Sequence, residues 1–538
     1  MKAKLIFGTY NSLPAGLSYD EIEARYEREY KPFVQQLYSN PEIKALVYYS
    51  GNLLNWFEQH HSEFLKVLSE LVSRHQLEIL GGAYFEPIMP LIPRQDRVGQ
   101  IEQMTTVLRK QFGRRPRGCW IPQCVWEPGL ITSLCSSGME YTFLEDNQFW
   151  RAGAEQDPFI RPAITENQGK TVTVFPLFSG TGQDILPAGY EKSWYGDSRD
   201  LPLLVRFLPG DGVSVGDVQK IIQAVKQKNL VPVLPSRYVR SLPQRQRIHF
   251  PASATKDMSC WAMSVEKQKE YLKAQQLLAN SEIQGVFPQG GLFRNFLIRY
   301  PEAARMYAKM QHACILVNQI RGDRQRKQAA RKELWRGQHN SAYWHGKGPG
   351  LYSVENRIQT YKSLIGAEMM ARESGVFKPS ILAEDIDTDG RNEYLYQGSL
   401  FNGYLHSKGA TLFELDSFRT QQNYLATIAR HPEAYHTKAQ ISAGIDSRER
   451  HAFMDVFINP KTTWKQYLSN PAEVRSSFHQ SYYRLEELNR DQYQVLFSTQ
   501  GKIGQEDGEI RLEKKYRFNK SSVVVSYTIT NTGTSAIH

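Results

Sequence analysis

The chain reads as an α/β barrel of the (β/α)7 type, then a helical segment, then an antiparallel β-sandwich. Three observations predict this. Residues 1 to about 265 alternate short apolar runs with amphipathic stretches, which argues for a parallel sheet. Residues 264–372 carry helix-period patterns almost throughout. From about 376, alternating apolar and polar residues between Gly and Asn turns indicate antiparallel strands.

The elements follow in order. Residues 4–10 form the first expected strand, and 19–38 a helix with Asp20 and Glu21 in its first turn. A strand is expected at 45–49, and helix-period apolar residues fill 51–74. Residues 77–80 form a strand running into Gly81-Gly82, and 97–112 a further helix. Strands at 118–121, 141–144, 172–176 and 203–207 continue the series. Seven or so such units close into a barrel, which places functional loops at the carboxyl ends of the strands. Helices are expected at 264–278, 300–321, 325–335 and 356–372. The sandwich should contain strands at 394–397, 411–414, 493–498, 510–518 and 523–530. The expected domains are therefore a barrel over 1–265, a helical segment completing it over 266–375, and a sandwich over 376–538.

With 538 residues, the chain is too long for one core and suggests two or three domains. Its net charge is +11, yet 55 acidic residues are mixed with the basic ones. The densest basic run, residues 321–336, reads as a solvated helix face, so nucleic-acid binding is not expected. The five cysteines are odd in number and form no C-x-x-C pair. Reduced thiols in a cytoplasmic protein are the expectation, without disulfide framework or zinc site. The apolar run at the amino terminus is too short for a signal peptide, and none approaches the roughly 18 residues that span a bilayer. Aromatic residues make up 12% of the chain, suiting both core packing and stacking on sugar rings.

The most informative segment is G-C-W-I-P-Q-C-V-W-E-P, residues 118–128. It resembles the nucleophile segment of glycoside hydrolase family 57, which reads roughly W-L-x-E-R-V-W-x-P. Other matches follow in order: F-G-x-x-N-x-x-P at 7–14, Y-S-G-N-L-L-N-W at 49–56, and L-E-I-L-G-G-A-Y-F-E-P at 77–87. Further ones are I-P-R-Q-D-R-V-G-Q-I-E at 92–102, G-G-L-F-R-N-F at 290–296, S-A-Y-W-H-G at 341–346 and D-I-D-T-D-G-R at 385–391. Within the family, the chain is most similar to the 4-α-glucanotransferases and α-amylases. The resemblance covers nearly the whole chain. It implies the barrel, helical segment and sandwich already read from pattern, and a retaining chemistry that requires no cofactor. Family members continue beyond the last strand read here, so the resemblance also implies an incomplete sandwich.

Retaining glycosidases use two carboxyl groups about 5–5.5 Å apart, one as nucleophile and one as acid/base. The resemblance puts Gln123 at the nucleophile position, where the family has Glu. A neutral amide is a poor nucleophile and carries no charge to stabilise an oxocarbenium-like transition state. Losing covalent catalysis should cost about a thousandfold in rate or more. Gln123 can still hydrogen-bond a sugar hydroxyl. Asp211, in F-L-P-G-D-G-V-S-V-G, aligns with the acid/base, although Asp-Gly reads equally well as a plain turn. The family's H-x-H-Q-P is Tyr10-Asn11-Ser12-Leu13-Pro14 here, Cys124 replaces an Arg, and E-M-S-E-W has become Asp257-Met258-Ser259-Cys260-Trp261. The losses span separated motifs.

Asn11, Glu86, Trp120, Trp126, Trp261, Trp344 and His345 match positions in or near family motifs and form a candidate glucan-binding set. Trp120 and Trp344 read equally well as core. Glu127, four residues after Gln123, is an alternative nucleophile if the strand extends that far, but Pro122 and Pro128 argue for an irregular loop. Asp385, Asp387 and Asp389 place oxygen ligands at alternate positions before Gly390, as at the start of a calcium loop. No Glu follows at the twelfth position, so this is not an EF-hand. A structural Ca²⁺ and a solvated acidic turn are both consistent with it.

The leading expectation is a protein that binds α-1,4-glucan or malto-oligosaccharide, with catalysis abolished or severely impaired. The alternative is an active enzyme using Asp211 with Glu127. A third is a scaffold whose basic surface meets acidic partners. Oligomeric state is left open, a homodimer included.

Overall fold

The computed structural model describes residues 3–154, 162–178, 203–227, 230–242, 246–279, 288–344, 350–372, 375–436, 444–446, 448–459, 461–469, 476–503 and 508–534. It divides into two compact units. One holds residues 1–299 and 338–351, the other 300–337 and 352–538.

The first unit is built on β1 (Ala3–Asn11), β2 (Ala45–Tyr49), β3 (Leu77–Ile79), β4 (Gly81–Gly82), β5 (Cys119–Trp120), β6 (Tyr141–Glu145), β7 (Ala163–Asn167), β8 (Lys170–Leu177) and β9 (Leu203–Pro209). β1 pairs in parallel with β2 and with β9, and β2 with β3. β4 pairs in parallel with β5, and β6 with β8. The remaining joins are single links. Gly118 bridges Tyr141 in parallel, and the Phe178 N–H donates to the Val205 carbonyl at 3.1 Å. Counting β3 and β4 as one staggered strand, seven parallel positions among the described residues close into a ring. β7 folds back antiparallel on β8, while β10 (Leu230–Pro232) and β11 (Gln246–Arg247) add short parallel pairs to β1 and β7. The barrel strands are buried along most of their length, as parallel strands covered by helices must be.

Helices begin and end where local chemistry allows. Ser18 caps Tyr19–Arg25 and exchanges hydrogen bonds with Glu21 in a capping box. The single helix expected over 19–38 is interrupted. A wider π-type turn, Tyr26–Tyr30, precedes Lys31–Ser39, whose first turn contains Pro32. Proline supplies no N–H, so the regular ladder breaks there. The helix expected over 51–74 is likewise two, Gly51–His60 and Ser62–Ser73, meeting at His61. Arg94–Phe112 ends on Gly113, whose φ of 68° terminates the helix in left-handed geometry.

In the second unit, β12 (Ser380–Glu384), β13 (Glu393–Gln397), β14 (Phe401–His406), β15 (Thr411–Ser417) and β16 (Gln422–Asn423) form one antiparallel sheet. β17 (Arg484–Asn489), β18 (Gln494–Lys502), β19 (Glu509–Phe518) and β20 (Val523–Asn531) form another. β19 alternates buried and open residues, the period of a strand with one covered face. The two sheets share a core in which Tyr396 stacks on Phe518 at 4.6 Å. Helices Pro301–Gln319, Arg324–Gly337 and Val354–Ala371 belong to this unit. The compact units therefore differ from the division expected at 265 and 375. The physical reason is burial: His312 meets the Gln397 amide at 2.8 Å, and Lys309 reaches into the β13–β15 sheet. The basic run lies largely on Arg324–Gly337, where Ala330, Leu334 and Gly337 are buried, Arg326, Lys327 and Arg331 are half-buried, and Arg324, Lys332 and Arg336 are exposed.

Lys309 is wholly buried, with its ammonium 2.6 Å from Asp416 and 2.9 Å from both Glu368 and Glu414. Burial, then the neighbouring Asp416, pushes the Glu414 carboxyl well up, so it keeps its proton. Lys309→Met leaves the remaining carboxylates without a cation. The expected cost is about 3–5 kcal/mol in the unfolding free energy of this unit, read by chemical denaturation.

Candidate functional site

Ring closure brings together the carboxyl ends of β1, β5, β6 and β9. Tyr10 from β1 stacks on Trp120 from β5, with centroids 4.5 Å apart and planes at 23°. Phe207 from β9 meets the Trp120 ring edge-on at 5.1 Å. Trp120 is buried with Tyr10 on one face, so any sugar would meet Tyr10 before it. Trp126 is 0% exposed. Its indole N–H donates to the Phe250 carbonyl at 3.3 Å and its ring packs against Phe250. It is a core residue, and its expected place in the glucan-binding set is corrected on that ground.

Asn11 anchors the rim. Its amide donates to the Tyr48 carbonyl at 3.1 Å. A Cβ on Gly210 would lie 2.0 Å from the Asn11 side-chain oxygen, so only glycine lets the turn after β9 approach this closely. That turn, Gly210–Gly212, presents Asp211 to solvent. Glu86 is buried and backbone-strained at φ 52°. Its carboxylate accepts from the Ser12 hydroxyl at 2.6 Å and lies 3.7 Å from His339. Its carbonyl accepts from the Asn340 amide at 2.6 Å, and Trp344 donates to Asn340 at 3.2 Å. Glu86, Asn340 and the buried Trp344 thus form one structural chain. His345 lies outside the described residues.

Gln123 sits in a left-handed turn, φ 54°, just past β5. It is half-buried, and among the described residues its side-chain amide makes no hydrogen bond. Its carbonyl accepts from the Thr255 N–H at 3.1 Å. The next N–H, that of Lys256, donates to the Glu145 carboxylate at 3.0 Å. Gln148 donates to the Cys124 carbonyl at 3.0 Å and accepts from the Glu145 N–H at 2.9 Å. Consecutive backbone donors on Thr255 and Lys256, together with Gln148, therefore tie Glu145 to the Gln123–Cys124 turn.

The sequence pattern ends this strand at residue 144 and so does not single out Glu145, which the structure makes the last residue of β6. Its signal was its place as the last residue of a barrel strand, where carboxylates tend to be functional. Burial raises its carboxyl from the ordinary 4.5 to about 7, and neighbouring Asp146 and Asp257 add to the shift. Burial raises the Tyr10 phenol as well, with the charges of Cys124, Glu145, Asp211 and Asp257 contributing. A cavity of about 320 Å³ opens alongside, with Trp150, Tyr271 and Gln289 in its wall.

Glu127 is elsewhere engaged. Arg294 grips its two oxygens at 2.8 and 3.3 Å. This fork corrects the expectation of a free nucleophile at 127, because a carboxylate shared with a guanidinium loses nucleophilicity. Trp261 is half-buried at the end of the helix Lys256–Trp261, its carbonyl accepting from Arg299 at 3.0 Å. Asp385, Asp387 and Asp389 lie in the second unit, in the turn between β12 and β13, with ligand oxygens within 4.8 Å of one another. All five cysteines are free thiols. Among the described residues, no helix is long and apolar enough to cross a membrane.

A closed parallel ring with carboxylates, an amide and aromatics at its carboxyl ends defines a barrel that carries its chemistry in the loops after the strands. The chain belongs to glycosyl hydrolase family 57, whose model matches residues 5–185. Residues 291–371 match the middle domain of the alpha-amylase/4-alpha-glucanotransferase group, and 385–444 and 442–538 match its C-terminal domain. The 4-alpha-glucanotransferase of Thermococcus litoralis is 30% identical over 456 residues, 81% of this chain and 67% of that protein. Alpha-amylase 1 of Dictyoglomus thermophilum is 30% identical over 457 residues, and the chain spans 66% of its length. The crystal structure of the Thermococcus litoralis 4-alpha-glucanotransferase superposes with a TM-score of 0.90 at 27% identity, over 99% of this chain and 85% of that one.

The folded state favours neutral Glu145, so its contribution to stability is fully present below pH 4.5 and is lost as pH rises through about 7. Relative to Glu145→Gln, the wild-type protein should lose stability across that window in thermal melts at stepped pH. A carboxylic-acid infrared band titrating near neutrality and absent from the variant would accompany the loss.

Proposed function

We propose that this protein binds α-1,4-glucan at the carboxyl end of its barrel and cleaves it at a severely reduced rate. The observation carrying this reading is the amide of Gln123, held where the family resemblance puts the nucleophile. Supporting it are Asp211 on the turn after β9, the half-buried Tyr10 and the cavity beside Glu145. Its relatives bear the names of α-glucan transferases and amylases. A thousandfold rate loss corresponds to about 4 kcal/mol of transition-state stabilisation, within what one covalent nucleophile supplies.

A second reading rests on Glu145. It is the carboxyl fastened beside Gln123, and at about pH 7 it is poised between acid and carboxylate. In that reading Asp211 remains the acid/base and Glu145 takes the second carboxyl's part, replacing Glu127 in the role first expected of it.

Calorimetry and product chromatography on one sample with maltoheptaose test both. The first reading expects heat of binding, little or no redistribution of chain lengths, and unchanged affinity in Asp211→Asn. New oligosaccharides that vanish in Glu145→Gln and Asp211→Asn would replace it with the second. Absence of any binding overturns both.

A further inference from the structure

The acidic turn of the second unit has a buried partner that the D-x-D-x-D-G pattern alone does not disclose. Glu393, the first residue of β13, occupies the ninth position counted from Asp385. It stands one residue outside the Tyr394–Leu405 pair, across from His406 at the end of β14. Glu393 is 0% exposed. One carboxylate oxygen accepts from the Ile386 N–H at 2.9 Å. The other, Oε1, is buried without a hydrogen-bond donor. A buried carboxylate oxygen in that state is costly unless a cation completes it.

The surrounding groups converge on it. Ligand atoms of Asp387, Glu393 and His406 lie within 4.8 Å of one another, as do those of Asp385, Asp387 and Asp389. Oxygens on opposite sides of a Ca²⁺ ion lie about 4.6–5.2 Å apart, twice the usual bond length. Asp387 belongs to both groups and joins them. The turn itself is organised by backbone donors: Asp389 N–H to Asp385 and Asp387, each at 3.1 Å, and Gly390 N–H to Asp385 at 3.0 Å. Carboxylates oriented in this way keep oxygen lone pairs for a metal.

His406 decides the class of ion. The Lys408 N–H donates to its Nδ1 at 2.8 Å. A backbone amide can only donate, so a neutral ring carries its proton on Nε2. Nε2 lies 3.3 Å from Asp389 Oδ2 and 3.4 Å from Glu393 Oε1. The imidazole therefore donates to Asp389, leaves Glu393 Oε1 without a hydrogen bond, and supplies no lone pair. What remains is an all-oxygen set, which suits a hard cation and not zinc.

We propose that Asp385, Asp387, Asp389 and Glu393 bind one Ca²⁺, with His406 orienting the carboxylates from outside the coordination shell. Chelator-treated full-length protein should take up one Ca²⁺ per chain by calorimetry and melt several degrees higher in millimolar CaCl₂, with little response to Zn²⁺. Glu393→Gln and Asp387→Asn should weaken Ca²⁺ binding at least tenfold. Without calcium, Glu393→Gln should melt at or above the wild-type temperature, because the uncompensated carboxylate is gone. That result separates a lost ligand from a misfolded variant. His406→Gln should retain Ca²⁺ binding with reduced affinity. No calcium uptake by the wild-type protein, or uptake unchanged in Glu393→Gln and Asp387→Asn, overturns the site. Zn²⁺ bound in preference to Ca²⁺ and lost in His406→Gln overturns the all-oxygen assignment.

Discussion

Closure of the strand ring between β9 and β1 is the constraint from which the candidate site follows. β1 pairs with β9 over seven residue positions, from Lys4–Leu203 to Tyr10–Pro209. That register sets the height at which each chain leaves the barrel. It delivers Tyr10 and Asn11 to the same rim as the Asp211 turn. The approach is close enough that Gly210 has no space for a side chain against Asn11. A shift of one residue would reverse which side chains point inward and disperse the cluster. The segment Thr255–Lys256 then ties the turn after β5 to the end of β6 through two adjacent amides.

The family resemblance puts changes at Gln123 and at other positions too, Tyr10, Cys124 and Cys260 among them. Gln123 keeps the shape of a glutamate side chain and loses its charge. Asp211 stays solvent-facing, whereas Glu145 is drawn into a low-dielectric setting that raises its carboxyl toward neutrality. Two carboxyl groups in unlike surroundings are the arrangement acid–base chemistry uses.

Much of the fold was legible because periodicity reports burial directly. The expected strands at 45–49, 141–144 and 172–176 lie within or coincide with β2, β6 and β8. Boundaries failed where backbone chemistry overrode pattern: Pro32 broke one expected helix, and His61 divided another. Sequence motifs singled out Gln123 and Asp211 as candidates but could not distinguish platform from core. Trp126 matches a motif and is core, because burial depends on Phe250, more than a hundred residues away in the chain. Arg294 captures Glu127 across a similar separation. Glu145 and Glu393 acquire meaning only from neighbours that folding brings to them.

The most direct measurement is turnover of maltoheptaose by Gln123→Glu beside the wild-type protein, followed by chromatography of chain lengths. If the amide alone withholds the family chemistry from an otherwise preserved site, the variant redistributes chain lengths at least a thousandfold faster than wild type. Equal turnover by the two proteins would contradict this, since catalysis would then not depend on position 123. A variant that binds maltoheptaose yet produces no new chain lengths would equally contradict it, placing the loss in the altered groups around Tyr10, Cys124 and Asp257.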